Sequence, residues 1–252
     1  MYTKIITLVL LGLLLAACNQ ERNIEIDSES LTENDLEICQ NTKCPEITIN
    51  YLSVQGDGVV SKKINSKIRN FIISSLEIGE DENERVNTIN EAATNFIESY
   101  NDDKSRFPDM AADYFAEISV TELYNSARHI CFEMRQYLYT GGAHGYGTTS
   151  FINIDPKTGN QLTDDDLFKN KKDFIAFAEQ KFREQQKIDE NQSINASGFW
   201  FEDDNFYLPE SVGFTHDTLI FVYNQYDIAS YAEGPIELKI TLNEARRFLK
   251  ID

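Results

Sequence analysis

The apolar run from Ile5 to Ala17, closed by Leu15-Ala16-Ala17-Cys18, limits where a folded body can begin. It follows Lys4 and is too short to cross a bilayer, as the core of a secretory leader would be. Small residues directly ahead of a cysteine are the pattern of a lipobox, where cleavage frees a thiol for diacylation. Residues 1–17 are therefore expected to be removed as a signal peptide, with Cys18 lipidated. The remainder would sit in the cell envelope, on the outer membrane or periplasmic face. A buried opening helix is the competing reading, but the polar stretch Asn19 to Glu37 would strand it.

Charge narrows the partners. The chain of 252 residues carries 42 acidic and 23 basic side chains, a formal net charge of −19. Such a surface repels nucleic acid phosphates, so no nucleic acid partner is expected. It attracts basic proteins or divalent cations, or it simply keeps an exported protein soluble. Aromatic residues at 12% leave ample material for a core, which excludes global disorder.

Cys39 and Cys44 enclose only Gln40-Asn41-Thr42-Lys43, and in an oxidising envelope a local disulfide is expected there. With no histidine nearby and no second cysteine pair, a metal site is not expected, nor is any cofactor. Cys131 reads as a small packing residue on a strand.

Periodicity orders the rest. Residues 18–45 read as a lipidated, acidic tether. A strand is predicted over Glu46 to Val54, then a helix from about Val59 to Glu77 and a second through Val86–Tyr100, ending in Asp102 to Pro108. Alternation predicts strands at Tyr114–Val120, Ile130–Leu138 and Phe151–Ile154, with a hairpin turn at Asn125-Ser126. Thr163 is placed to cap a short helix, and Phe174, Phe177, Ala178 and Phe182 form one face of a longer one. Two strands flank His216-Asp217, a tyrosine-rich connection runs from Gln225 to Gly234, and a strand at Ile236–Thr241 precedes a helix at Asn243–Lys250. Helices and strands are partly segregated, giving an α+β fold of antiparallel sheets with packed helices. Two closely associated subdomains are expected, 46–110 and 111–252.

Tyr139-Thr140-Gly141-Gly142-Ala143-His144, Asn153-Ile154-Asp155, Lys157-Thr158-Gly159 and Leu162-Thr163-Asp164-Asp165-Asp166-Leu167-Phe168 occur in that order. Tyr226 to Gly234 and the strand Glu237 to Thr241 follow. Together they resemble an extracellular domain family of unknown function. That family occurs in lysozyme-sensing anti-sigma factors of the RsiV type and ahead of the catalytic domain in peptidoglycan deacetylases of the PdaC type. Ile47 to Phe71, with Asp57-Gly58 and Ile64-Asn65, is similar to the partner domain that usually precedes it. The resemblance implies a mixed α+β fold and an envelope location, and it implies no reaction. The sigma-binding segment, spanning helix and deacetylase domain of those relatives are not seen in this sequence, and His129, His144 and His216 lie on separate segments.

The expectation is a recognition domain on a lipid anchor, its partner a basic protein such as lysozyme or a peptidoglycan fragment. Thr140, Gly141, Gly142, His144, Tyr226 and Tyr231 are the candidate ligand-binding residues, and none is assigned as catalytic. A cell-wall glycan hydrolase or transferase working through His144 and nearby carboxylates is the rival. Against it, the two glycines allow a tight crossing that His144 caps by a hydrogen bond. Tyr223, Tyr226 and Tyr231 are expected to pack the end of a sheet, with exposed recognition as the alternative. Asp164 to Asp166 read as helix capping rather than a calcium loop. Asp203-Asp204 beside Phe199-Trp200-Phe201 reads either as a contact patch or as core aromatics with a solvated turn.

Overall fold

The computed structural model describes residues 24–78, 86–109 and 112–251. The expected signal peptide and lipidation site, residues 1–17 and Cys18, lie outside these described residues. The fold begins with β1 (Ile26–Thr32), which pairs antiparallel with β2 (Glu46–Val54). Residues 26–32 were expected in the tether; they form an edge strand instead. The sequence hid it because only Leu31 of the strand is buried, so alternation is nearly absent. Cys39 and Cys44 are joined in a disulfide, Cα atoms 5.7 Å apart, pinning a 3-10 turn (Glu37–Cys39) to the approach to β2.

Two helices connect β2 to β3 (Phe115–Asn125). The first, α1 (Val59–Leu76), buries Ile64, Ile68, Ile72 and Leu76 at intervals of one turn. Its Asn65 side chain both accepts from the backbone N–H of Val54 (2.7 Å) and donates to its carbonyl (2.8 Å), so one amide stands in for a strand partner. The second, α2 (Ile89–Arg106), starts at a capping box. Thr88 Oγ1 accepts from Glu91 N–H, and the Glu91 carboxylate accepts from Thr88 N–H. It runs through Asp102 and Asp103 rather than ending there, because Tyr114 donates to the Asp103 carboxylate and anchors that turn.

The long connection lets β2 and β3 lie parallel, the one parallel pair in a sheet ordered β1-β2-β3-β4-β5. Strands β4 (Ile130–Tyr139) and β5 (Tyr146–Ile154) complete it as antiparallel hairpins. This continuous sheet crosses the subdomain boundary expected near residue 110. Packing, not chain position, divides the molecule. One core holds α1, α2 and the inward face of β1 to β5, from Leu31 to Ile154.

A second core uses part of the other face. After α3 (Asp164–Leu167) and α4 (Lys171–Gln186), strands β6 (Gly213–Phe214), β7 (Thr218–Tyr223) and β8 (Ile236–Thr241) form a three-stranded antiparallel sheet. Phe221 meets Phe174 (5.9 Å) and Tyr223 meets Phe182 (5.8 Å), so β7 turns one face to α4. Strand β6 turns to the first sheet, where Phe214 N–H donates to Cys131 Sγ (3.3 Å) and Asn153 donates to Val212 O (2.8 Å). The layers thus run helices, sheet, sheet, helix. The tail expected as one helix is broken into α5 (Leu242–Ala245) and a 3-10 turn (Arg246–Phe248), tied back by Lys169 N–H to Phe248 O.

Candidate functional site

The three-stranded sheet covers only one end of the first sheet's outer face. At that covered end Cys131 is fully buried, and desolvation pushes its thiol up to about 12. At the other end the face stays open. Ser119, Arg135 and Thr149 lie on one rung across β3, β4 and β5, and Glu117, Tyr137 and Gly147 on the next. Opposite these rungs stands the segment holding Asn224, Gln225 and Pro235, leaving a groove of about 370 Å³. Asn224 fixes that wall to β5, accepting from Thr149 N–H (2.7 Å) and donating to Thr149 O (3.3 Å).

An aromatic cluster borders the groove where Tyr137 meets Gly145. No side chain fits at Gly145, since a Cβ there would fall 2.5 Å from the Tyr137 ring. The Gly145 carbonyl accepts from Tyr231 Oη (3.0 Å) and from His144 Nδ1 (3.1 Å). A carbonyl only accepts, so Nδ1 carries the proton in neutral His144. Nε2 is then left to accept from Tyr226 Oη at 3.3 Å. The imidazole stacks on the Tyr231 ring, centroids 3.7 Å apart. Tyr226 is the third residue of a turn, Asn224 to Asp227, closed by Asp227 N–H to Asn224 O (3.1 Å). Its φ of 71° lies in the left-handed region, which costs a bulky residue about 1–2 kcal/mol. That strain aims an exposed ring beside the groove. Exposed Tyr146 and Tyr207 flank the same turn. Burial raises the pKa of each, and the Asp227 carboxylate raises it further.

His144, Tyr226 and Tyr231 are thus brought together from positions far apart in the chain. Of the tyrosines expected to pack a sheet end, Tyr223 does so and Tyr226 does not. Gly141 and Gly142 adopt φ of 99° and 90° in the β4–β5 hairpin, where Tyr139 Oη donates to Gly142 O, and Thr140 is exposed beside them. Glu117, Ser119, Arg135, Tyr137, Thr149 and Gln225 were not singled out by the sequence. For Glu117, Ser119, Arg135 and Tyr137 the signal was present, since they are outer positions of β3 and β4 alternating with buried Ala116, Ile118 and Met134; Thr149 and Gln225 carry no such pattern.

Other candidates resolve as structure. Asp166 accepts from Thr163 N–H (2.8 Å) as a helix cap, and Asp164 pairs with Lys171. Phe201 is buried and Trp200 exposed, while Asp204 accepts from Ser193 and from Asn195 N–H, so the acidic turn closes its own loop. Among the described residues, no group of three or more His, Cys, Asp and Glu is placed to hold a metal.

The class defined here is an α+β body of two stacked sheets with an open, polar sheet face. Residues 38–146 match the family described as deacetylase PdaC, and residues 165–243 match a protein family of unknown function, DUF3298. The resemblance read from the motifs is borne out, with the Tyr139–His144 motif falling in the first match. A DUF3298 family member from Bacteroides fragilis superposes with a TM-score of 0.68 at 22% identity, covering 90% of this chain and 93% of its own. A DUF3298 family protein from Pseudomonas aeruginosa superposes with a TM-score of 0.61 at 18% identity, covering 92% and 96%. At these identities the likeness shows the fold. No curated protein matches.

Proposed function

We propose that this chain is a lipid-anchored protein of the cell envelope, attached through Cys18, whose groove binds a peptidoglycan fragment without performing chemistry. The observation that carries the reading is the open rung pair on β3 to β5, with Tyr137 on its floor and Tyr226 and Tyr146 exposed nearby. An aromatic face beside hydroxyl, amide and charged groups suits a sugar, which presents apolar C–H faces and a rim of hydroxyls. Catalysis through His144 is poorly supported. Both of its nitrogens are engaged, by Gly145 O and Tyr226 Oη, and no carboxylate among the described residues hydrogen-bonds to it. No helix among the described residues is long and apolar enough to cross a membrane, so attachment in this reading rests on the lipid.

Sedimentation with insoluble peptidoglycan tests it. The purified body should co-sediment, and Tyr137→Ala should release it while leaving the melting temperature nearly unchanged. Turnover of wall fragments that disappears in His144→Ala would instead favour the hydrolase or transferase.

The net charge of −19 favours a second reading, a basic protein partner such as lysozyme. Binding of that kind is steered by long-range attraction, so it should weaken markedly between low and physiological salt. Association indifferent to salt would remove it.

A further inference from the structure

We infer that the groove is selective for a sugar bearing a free carboxylate, with Arg135 as the residue that reads it. This rests on the peptidoglycan reading above and names the chemistry within it. Arg135 is the only cation among the groove's lining residues. It is exposed, and among the described residues it makes no ion pair or hydrogen bond, although acidic residues outnumber basic ones 42 to 23. Some cations elsewhere are paired, Lys43 and Lys104 on Asp113, Lys171 on Asp164, Arg183 on Glu179, Lys181 on Glu184 and Glu244; what sets Arg135 apart from the unpaired surface cations is its place in the groove.

Glu117 sits on the next rung, diagonal to Arg135, yet the two do not pair. The guanidinium fork is therefore unspent, flanked on its own rung by the hydroxyls of Ser119 and Thr149. A planar fork with adjacent hydroxyl donors matches a carboxylate, which accepts two parallel hydrogen bonds. Glu117 does not suit an anion. On the neighbouring rung beside Tyr137 it suits a sugar hydroxyl, with the ring carrying the sugar's apolar face. One ligand satisfies both rungs: a pyranose with an acidic substituent on one side. In peptidoglycan the muramyl residue has that form when its lactyl group carries no peptide.

Two disaccharides of similar size separate the possibilities. Chitobiose is neutral, and N-acetylglucosaminyl-N-acetylmuramic acid adds one lactyl carboxylate. Titration of the full chain by calorimetry or NMR should show the acidic disaccharide binding about ten- to a hundredfold more tightly, the range expected of a charge-assisted bidentate contact. Arg135→Gln should bring the two affinities together by weakening the acidic one, with chitobiose unchanged. Arg135→Lys should recover part of the gap. Equal affinities in the unmodified chain overturn the carboxylate assignment and leave glycan binding standing. A preference that survives Arg135→Gln overturns the role of Arg135. If neither disaccharide binds, both this inference and the peptidoglycan reading fall.

Discussion

The two ends of the outer face of β4 and β5 share strands, register and backbone geometry, and they have opposite fates. At one end Cys131, Phe151 and Asn153 lie under the second sheet, all at 5% exposure or less. Gly213 allows this by having no side chain, since a Cβ there would meet the Phe151 ring at 2.6 Å. At the other end Arg135, Tyr137 and Thr149 face an open groove. The difference teaches that a single sheet face can be core and recognition surface at once. What divides it is where β6 stops, after only Gly213 and Phe214.

The largest contrast should come from truncating a ring at each end. Phe151→Ala should destabilise the protein by about 3–5 kcal/mol in chemical denaturation, while Tyr137→Ala should cost under about 1 kcal/mol. Equal losses would erase the distinction between the two halves. Next, Gly213→Val should cost about 1–3 kcal/mol by wedging the sheets apart. Combined with Phe151→Ala it should cost less than the sum, because the second change vacates the space the first one needs.

Acid should act on the covered half. His129 is 2% exposed, edge-on to Phe214 at 4.7 Å and beside Tyr124. Asn153 must donate through its amide to Val212 O, so its Oδ1 accepts from His129 Nε2–H at 2.7 Å. Burial lowers the His129 pKa from the ordinary 6.5, outweighing the opposing effect of the hydrogen bond it donates to Asn153. The folded state therefore holds it neutral while the unfolded chain takes up a proton. Stability is full above about pH 6.5 and declines below it, by up to about 1.4 kcal/mol per pH unit, until the lowered folded value is reached. Denaturation midpoints across pH 4–8 should show that slope, and His129→Gln should flatten it. The smallest effect is expected at the open half, where Arg135→Gln should shift stability by no more than about 0.5 kcal/mol.

Local pattern made most elements legible. Alternation at Ile47 and Ile49 marked β2, and Ile64 to Leu76 marked α1 to within a residue. His144, Tyr226 and Tyr231 stood out because glycines and tyrosines cluster around them. The groove did not, because it is assembled from single outer positions on three strands and a distant turn. Nothing local to Arg135 says that β6 ends before reaching it. The same holds for β1, where one buried leucine on an edge strand gives no period to detect, and for the parallel pairing of β2 with β3, which depends on a crossover of two helices.

Strand β1 also shortens the leash. If the body were free until Glu46, an extended chain from a lipid on Cys18 would let it roam about 95 Å from its anchor. With the edge strand starting at Ile26, even a fully extended chain could separate it from Cys18 by no more than about 27 Å. If Cys18 carries the proposed lipid, a body held on so short a line would keep to the layer next to its own bilayer, and whatever it captures would have to drift down to it.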